Sequence, residues 1–311
     1  MMLPQGLQKD LERFIQTQEL DERVAKLLNS QAEPLLKFTL AGEEDYSCTG
    51  NSRVAGCPDL PPSFEWPLDS DGEYWTFIAQ INLGELPITP YPGLPQRGIL
   101  YFFLGLDEPS YDIEHRIYYY DADLTVLKKT APPDGREEIS EEYRGFVSHK
   151  ISFEPDWTLP EEATDTLMDD FPDAYDALEN DGDTFWGQHQ SWAGDTPLDA
   201  YLCRNGMQDI LFSHHKTVDQ IRQEAREAEE RGSLEYAQRL LTQAIPQLEE
   251  YTSNKEKHKT GAANWHVLLS ISSLDEVGMC WWDAGYVEFL IDKSDLDRLD
   301  FSRTYVNLAT S

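Results

Sequence analysis

Basic residues are scarce: 25 Lys and Arg stand against 58 Asp and Glu, a formal net charge of -33 with an isoelectric point near 4.3. Such a field repels phosphate backbones, which excludes nucleic-acid binding by charge attraction and disfavours an anionic membrane surface. Long apolar runs are lacking too; the longest, Ile99 to Leu104, is far below spanning length. The opening residues, Met1 to Leu7, lack the basic region and continuous apolar stretch of a signal peptide, so a soluble, cytoplasmic protein is expected. Cysteine is sparse: Cys48, Cys57, Cys203 and Cys280 are too few and too scattered for a disulfide framework and read as free thiols. There is no C-x-x-C pair, and the seven histidines show neither H-E-x-x-H nor finger-like spacing, so neither metal nor cofactor is expected. The nucleophile elbow G-x-S-x-G, the P-loop and the dinucleotide glycine fingerprint are all missing, which leaves the common hydrolase, NTPase and Rossmann readings without their mechanical parts.

What is present suffices for a packed interior: 311 residues, 40% hydrophobic and 12% aromatic, despite a mean hydropathy of -0.56. Leu7, Leu11, Phe14, Ile15, Val24, Leu27 and Leu28 recur at steps of three and four, which predicts one or two amphipathic helices over 1–34. From 35 to 153 apolar and polar residues alternate between Gly, Pro and Asp clusters, the pattern of a β-rich unit. Within it, Asp69-Ser70-Asp71-Gly72-Glu73 resembles the start of a calcium loop but lacks the later ligands, and reads better as a turn. The segment 154–261 is an acidic and helical connection. In it a helical hairpin spans Thr217 to Tyr251, broken at Gly232 and capped by Ser233, and a polar linker follows from Thr252 to Gly261. A second β-rich unit occupies 262–311.

Two strand pairs echo each other. Trp75 to Leu83 precedes Gly98 to Leu104, and Trp265 to Ser273 precedes Gly285 to Ile291, with Trp-to-Gly intervals of 23 and 20 residues. An internal duplication accounts for this in one event; the competing account is chance likeness between aromatic-rich strands. The expected fold class is α+β: two antiparallel β-rich units related by duplication, with an N-terminal helical segment and a helical hairpin insertion.

Particular residues carry a family resemblance. Ser52-Arg53-Val54-Ala55-Gly56-Cys57-Pro58-Asp59-Leu60-Pro61, Phe64-Glu65-Trp66-Pro67, Phe77 to Leu83, Leu94-Pro95 with Gly98, Leu100, Phe102 and Phe103, and the closing Trp265-x-x-Leu268-Leu269-x-Ile271 and Trp282-Asp283-Ala284-Gly285 resemble the YwqG-like family, over roughly 36 to 311. Ala55-Gly56 stands where that family has Gly-Gly, Ser270-Ile271-Ser272 replaces Gln-Ile-Asp, and the central histidine pattern is reduced to His189 and Gly194. The resemblance implies an α+β fold rich in antiparallel sheet, with 35–311 as one domain, and no established activity.

Two candidate sites follow. Between Lys150 and Arg204 there is no lysine or arginine but fourteen carboxylates, with aromatics interleaved; Leu167, Phe171, Tyr175 and Leu178 fall at helical steps. One face should therefore pack inward and present Glu161, Glu162, Asp165, Asp169, Asp170, Asp173 and Asp176 outward. That is either a docking surface for a basic protein partner, as in an immunity-like binding protein, or a solvated face. The alternative is a hydrolase or small-ligand enzyme whose pocket lies between the two β-units, with Trp66, Gln80, Trp282 and Asp283 converging on one cleft. His214 and His215, adjacent in sequence, read as surface histidines rather than as a site.

Overall fold

A computed structural model describes residues 3–68, 72, 74–105, 111–133, 146–178, 182–189 and 194–309. It divides into two compact units, one of residues 1–193 with 266–311 and one of 194–265.

The first unit opens with helices α1 (Gln5–Thr17), which buries Leu7 and Leu11, and α2 (Glu22–Gln31), which buries Val24 and Leu28 and whose first turn is capped by the Asp21 carboxylate accepting from Val24 N at 2.8 Å. Strands β1 (Glu33–Glu43), β2 (Arg53–Val54), β3 (Asp59–Leu60), β4 (Thr76–Asn82), β5 (Ile99–Leu104), β6 (His115–Tyr120), β7 (Lys128–Lys129) and β8 (His149–Thr158) follow. Then come helices α3 (Glu161–Asp170) and α4 (Pro172–Asp176) and strand β9 (Thr184–Gly187). After the second unit the chain returns with β10 (Trp265–Ser272), β11 (Tyr286–Asp292), a short helix over Lys293–Leu296, and β12 (Tyr305–Ala309).

Among the described residues ten strands form one sheet in the order β12-β11-β10-β9-β1-β8-β2-β4-β5-β6, with β3 and β7 paired apart. Its centre is the long antiparallel β1–β8 ladder, Glu33 opposite Thr158 through Leu40 opposite Ile151. Counted outward from that ladder, β4 and β5 take the second and third places on one side, and β10 and β11 the same places on the other. The residues ahead of β6 reach the far edge, where Ile113 N donates to Val306 O at 3.0 Å and Tyr111 bridges Asn307, so the sheet is nearly a closed barrel.

The run Ile99 to Leu104 is apolar throughout because β5 is covered on both faces. Leu100, Phe102 and Leu104 join the main core with Phe38, Ile78, Phe185, Leu268 and Phe289; Ile99, Tyr101 and Phe103 pack with Leu60, Trp75, Phe77 and Leu127 on the other side. Leu11, Val24 and Leu28 pack with Leu159, Ala163, Leu167 and Ala174, so the N-terminal helices share a cluster with α3 and α4. At the hairpin entrances, Gly98 takes φ +93°, whereas before β11 the left-handed positions are Trp282 (49°) and Ala284 (60°). Gly285 does not open that strand by a positive φ. Of the turn at Asp69 to Glu73 only Gly72 is described; Leu68 and Tyr74 on either side bridge antiparallel.

The second unit is helical: α5 (Thr196–Arg204), α6 (Val218–Glu230), α7 (Leu234–Arg239), α8 (Ile245–Ser253) and α9 (Lys255–Ala262). Thr217 and Gln220 form a capping box at the start of α6. Its end is a Schellman closure, with Gly232 N donating to Glu229 O and Ser233 N to Ala228 O, so Ser233 closes α6 through its backbone and makes no side-chain cap for α7. A π-helical turn, Leu240–Ala244, joins α7 to α8 just ahead of Pro246, which has no N–H to continue the α ladder. The polar stretch after Thr252, expected as a linker, is largely the helix α9, anchored by buried His258 and Ala262.

Gly56 (φ +73°) lies so close to Ser148 and the Tyr46 hydroxyl that an added Cβ would fall inside van der Waals contact with both. Gly56→Ala should therefore lower stability by about 2–4 kcal/mol, combining left-handed strain with overpacking, read as a fall in the urea midpoint at unchanged m-value.

Candidate functional site

The acidic stretch folds as its helical spacing predicts, with Pro172 dividing it into α3 and α4. Leu167, Phe171, Tyr175 and Leu178 face the cluster shared with α1 and α2. Asp165, Asp169, Asp170, Asp173 and Asp176 are exposed, and Asp170 pairs with Arg23. The side chains of Glu161 and Glu162 lie outside the described residues, as do Glu179, Asp181 and Trp192. Other carboxylates of the stretch are engaged elsewhere. Asp156 pairs with Lys37 at 2.8 Å, Asp183 is buried and accepts from Ser272 N, and Asp195 caps α5 through Leu198 N at 3.0 Å. Burial, with Asp195 nearby, pushes the Asp199 carboxyl up to about 7.

α1, β8 and the residues after α4 border an open groove of about 300 Å³ whose lining includes Asp10, Arg13, Phe14, Asp156, Trp157 and, after α4, Ala177 and Leu178. Phe14 and Trp157 meet edge to face, centroids 5.3 Å apart with planes at 67°.

The four residues expected to share a cleft are placed differently from one another. Trp66 is half-buried, its indole N–H donating to Trp75 O at 2.8 Å and its ring against Phe103. Trp282 and Asp283 are exposed, while Trp281 carries the packing of that turn, its indole N–H donating to Ser272 O. Gln80 has no accessible surface, which removes it from any cleft: its Oε1 accepts from Asp59 N at 2.8 Å and its Nε2 donates to Asn51 O at 2.7 Å.

Gln80 belongs instead to a buried charge network around Arg53. That guanidinium, also without exposed surface, pairs with Asp59, donates to Cys57 O and Asn51 Oδ1, and turns its Nε toward Glu44 at 3.5 Å. Asp59 further accepts from Gly50 N, its carbonyl accepts from the Tyr101 hydroxyl at 2.6 Å, and Tyr46 lies under Arg53 with its centroid 5.0 Å away. The members hold one another, and through Asn51, Cys57 and Gly50 they tie together the loops on which they stand. Among the described residues no group of three or more His, Cys, Asp or Glu is placed to hold a metal ion.

The model of a family described as Domain of unknown function (DUF1963) matches residues 52–309. The chain belongs to the DUF1963 family. A search of curated proteins finds no match. The DUF1963 match begins one residue before Arg53; it takes in Asp59, Gln80 and the acidic helices, and leaves α1, α2, Glu44 and Tyr46 ahead of it.

One further cluster within the DUF1963 span escaped the sequence reading. Trp186, at 2% exposure, is held at φ +61°, an outlier for a bulky residue. It lies between Tyr91 (centroids 4.8 Å apart, planes at 14°) and His266 (4.1 Å). Tyr91 donates to Asp297 at 2.9 Å, and burial together with that carboxylate pushes its hydroxyl up to about 12. Burial, then the Lys293 and His189 charges, hold His266 well below the ordinary histidine value. The available signal was a histidine within the otherwise apolar run Trp265 to Leu269 of β10. His214, by contrast, is half-buried with its Nδ1 in hydrogen-bonding range of Leu211 O, and His215 is exposed.

Arg53→Met would leave Glu44 and Asp59 buried without their cation; a loss of about 3–5 kcal/mol in urea unfolding is expected. His266 supplies a pH test. Its folded-state affinity for protons is depressed, so the unfolded chain takes up the proton first and the stability contribution, present above about pH 6.5, is lost as pH falls below it. Urea midpoints measured from pH 7.5 to pH 5 should fall less steeply in His266→Phe than in the parent chain.

Proposed function

We propose that this DUF1963 member is a non-catalytic, immunity-like binding protein that engages a basic protein through the outer face of α3 and α4. The observation that carries the reading is that Asp165, Asp169, Asp173 and Asp176 are exposed together on helices whose inner faces are packed, in a chain of net charge -33. Such a surface steers an oppositely charged partner and is screened beyond about 8–10 Å. The same reading places the protein in the cytoplasm and requires no cofactor; no described helix is long and apolar enough to cross a membrane. Within the family, the quoted motifs support a YwqG-like assignment. The mirrored places of β4–β5 and β10–β11 about the central ladder support an internal duplication, which a two-fold superposition of the two pairs would test.

A second reading, a hydrolase or small-ligand site between the two β-units, is favoured by the strained Trp186, where Tyr91 from the β4–β5 connection and His266 from β10 meet.

The test of the first reading uses nona-lysine as the basic probe and fluorescence anisotropy on the full chain. Affinity should fall by about tenfold or more between 20 and 150 mM salt. It should also fall by about tenfold at low salt when Asp165, Asp169, Asp173 and Asp176 are all changed to Asn, with unchanged thermal stability. Equal binding by the quadruple variant would remove the reading.

A further inference from the structure

We infer that the groove between α1, β8 and the end of α4 seats an arginine side chain of the basic partner, an inference that rests on the docking function proposed above. The groove has the two parts an arginine needs. Phe14, Trp157 and Leu178 line it with apolar surface for the methylene stem, and Asp10 and Asp156 line it with acceptor oxygens. Asp156 is oriented from both sides, Oδ1 accepting from Trp157 N at 2.8 Å and Oδ2 from Lys37 Nζ at 2.8 Å, so its carboxylate is fixed beside the indole. A guanidinium laid on the Trp157 ring can bond a neighbouring carboxylate in its own plane, combining cation–π contact with charge-assisted hydrogen bonds. The ammonium of lysine is a strongly hydrated point charge and gains less from a flat aromatic wall.

Charge settles the sign of the guest. Asp176 is exposed on α4 immediately before the lining residues Ala177 and Leu178, and Asp173 is exposed one turn earlier, so exposed carboxylates adjoin the lining in sequence. Arg13 is the one cation of the lining. It pairs with Asp10 at 3.1 Å, and both side chains are at least half exposed, so this i,i+3 pair is weak enough for a guest to displace. Arg13 therefore competes with the incoming arginine for Asp10, which gives the proposal a signature that general acidity lacks.

The experiment compares nona-arginine with nona-lysine on the full chain at 20 mM salt. The parent protein should prefer nona-arginine by about tenfold. Asp10→Asn and Trp157→Leu should each bring that ratio toward one by weakening nona-arginine more than nona-lysine, and Arg13→Ala should raise nona-arginine affinity several-fold and nona-lysine affinity less. The quadruple Asn variant of α3 and α4 should weaken both peptides and preserve their ratio. A parent ratio near one, or weaker nona-arginine binding by Arg13→Ala, would overturn the arginine seat while leaving the acidic-face reading intact. Equal binding by the quadruple variant would remove that reading instead. Asp10 and Arg13 are exposed, so their variants decide the matter even where Trp157→Leu perturbs folding.

Discussion

A guanidinium with no access to water obliges its surroundings to supply acceptors, and Arg53 organises one end of the sheet in that way. The residue sits on β2, a strand of two residues with too few ladder bonds to position itself. Its side chain binds the loop at Asn51, the carbonyl of Cys57 and the carboxylate of Asp59, and faces Glu44 beyond β1. Asp59 in turn bonds Gln80 of β4 and Tyr101 of β5. Two carboxylates against one buried cation would leave an excess negative charge; Lys150 on β8, 3.9 Å from Glu44 and 2.9 Å from Asp45, reduces it from the solvent side. The geometry of β2, β3, β4 and β5 is thus tied to one ion network; between Arg53 and Asp59 the chain takes two successive positive φ values, strained at Ala55 (58°) and accommodated without strain at Gly56 (73°).

The arrangement explains why some of the fold was legible in the sequence and some was not. Helices α1 and α2, the main strand pairs and the α6 to α8 hairpin announce themselves because each buries an apolar face at a regular step. Helix α9 does not, because only His258 and Ala262 of Lys255–Ala262 are buried and the rest is solvated. Strand β9 was hidden within the acidic stretch: its four residues are all buried between β1 and β10, and four residues establish no period.

The same limit governs the sites. Gln80 reads as a polar residue available to a ligand because its type carries no mark of burial, and only the long-range partners Asn51 and Asp59 show otherwise. Arg53 and Asp59 stood within a motif of family resemblance, yet their pairing depends on a turn whose geometry spacing does not disclose. In the sequence Trp186 is one aromatic among those interleaved in the acidic stretch; its backbone strain and its place between Tyr91 and His266 are tertiary facts. The outward carboxylates of α3 and α4 were legible, since a helix with one apolar face must present the other to water.

Placement of the cations follows from the same economy of charge. With 25 basic residues against 58 acidic ones, the cations that the sheet requires are engaged within it: Arg53 with Asp59 and Glu44, Lys37 with Asp156, Lys150 with Asp45. Along α3 and α4 the ion pair among the described residues is Arg23 with Asp170, both side chains well exposed, a geometry worth at most about 1 kcal/mol. Among the described residues, Asp165, Asp169, Asp173 and Asp176 are exposed on α3 and α4, so their field acts outward from those two helices. Because salt confines such a field to about 8–10 Å, it can gather and orient a basic partner but cannot hold one tightly. Lasting affinity has to come from desolvated contact, and the aromatic corner of Phe14 and Trp157 provides apolar surface for it beside those carboxylates.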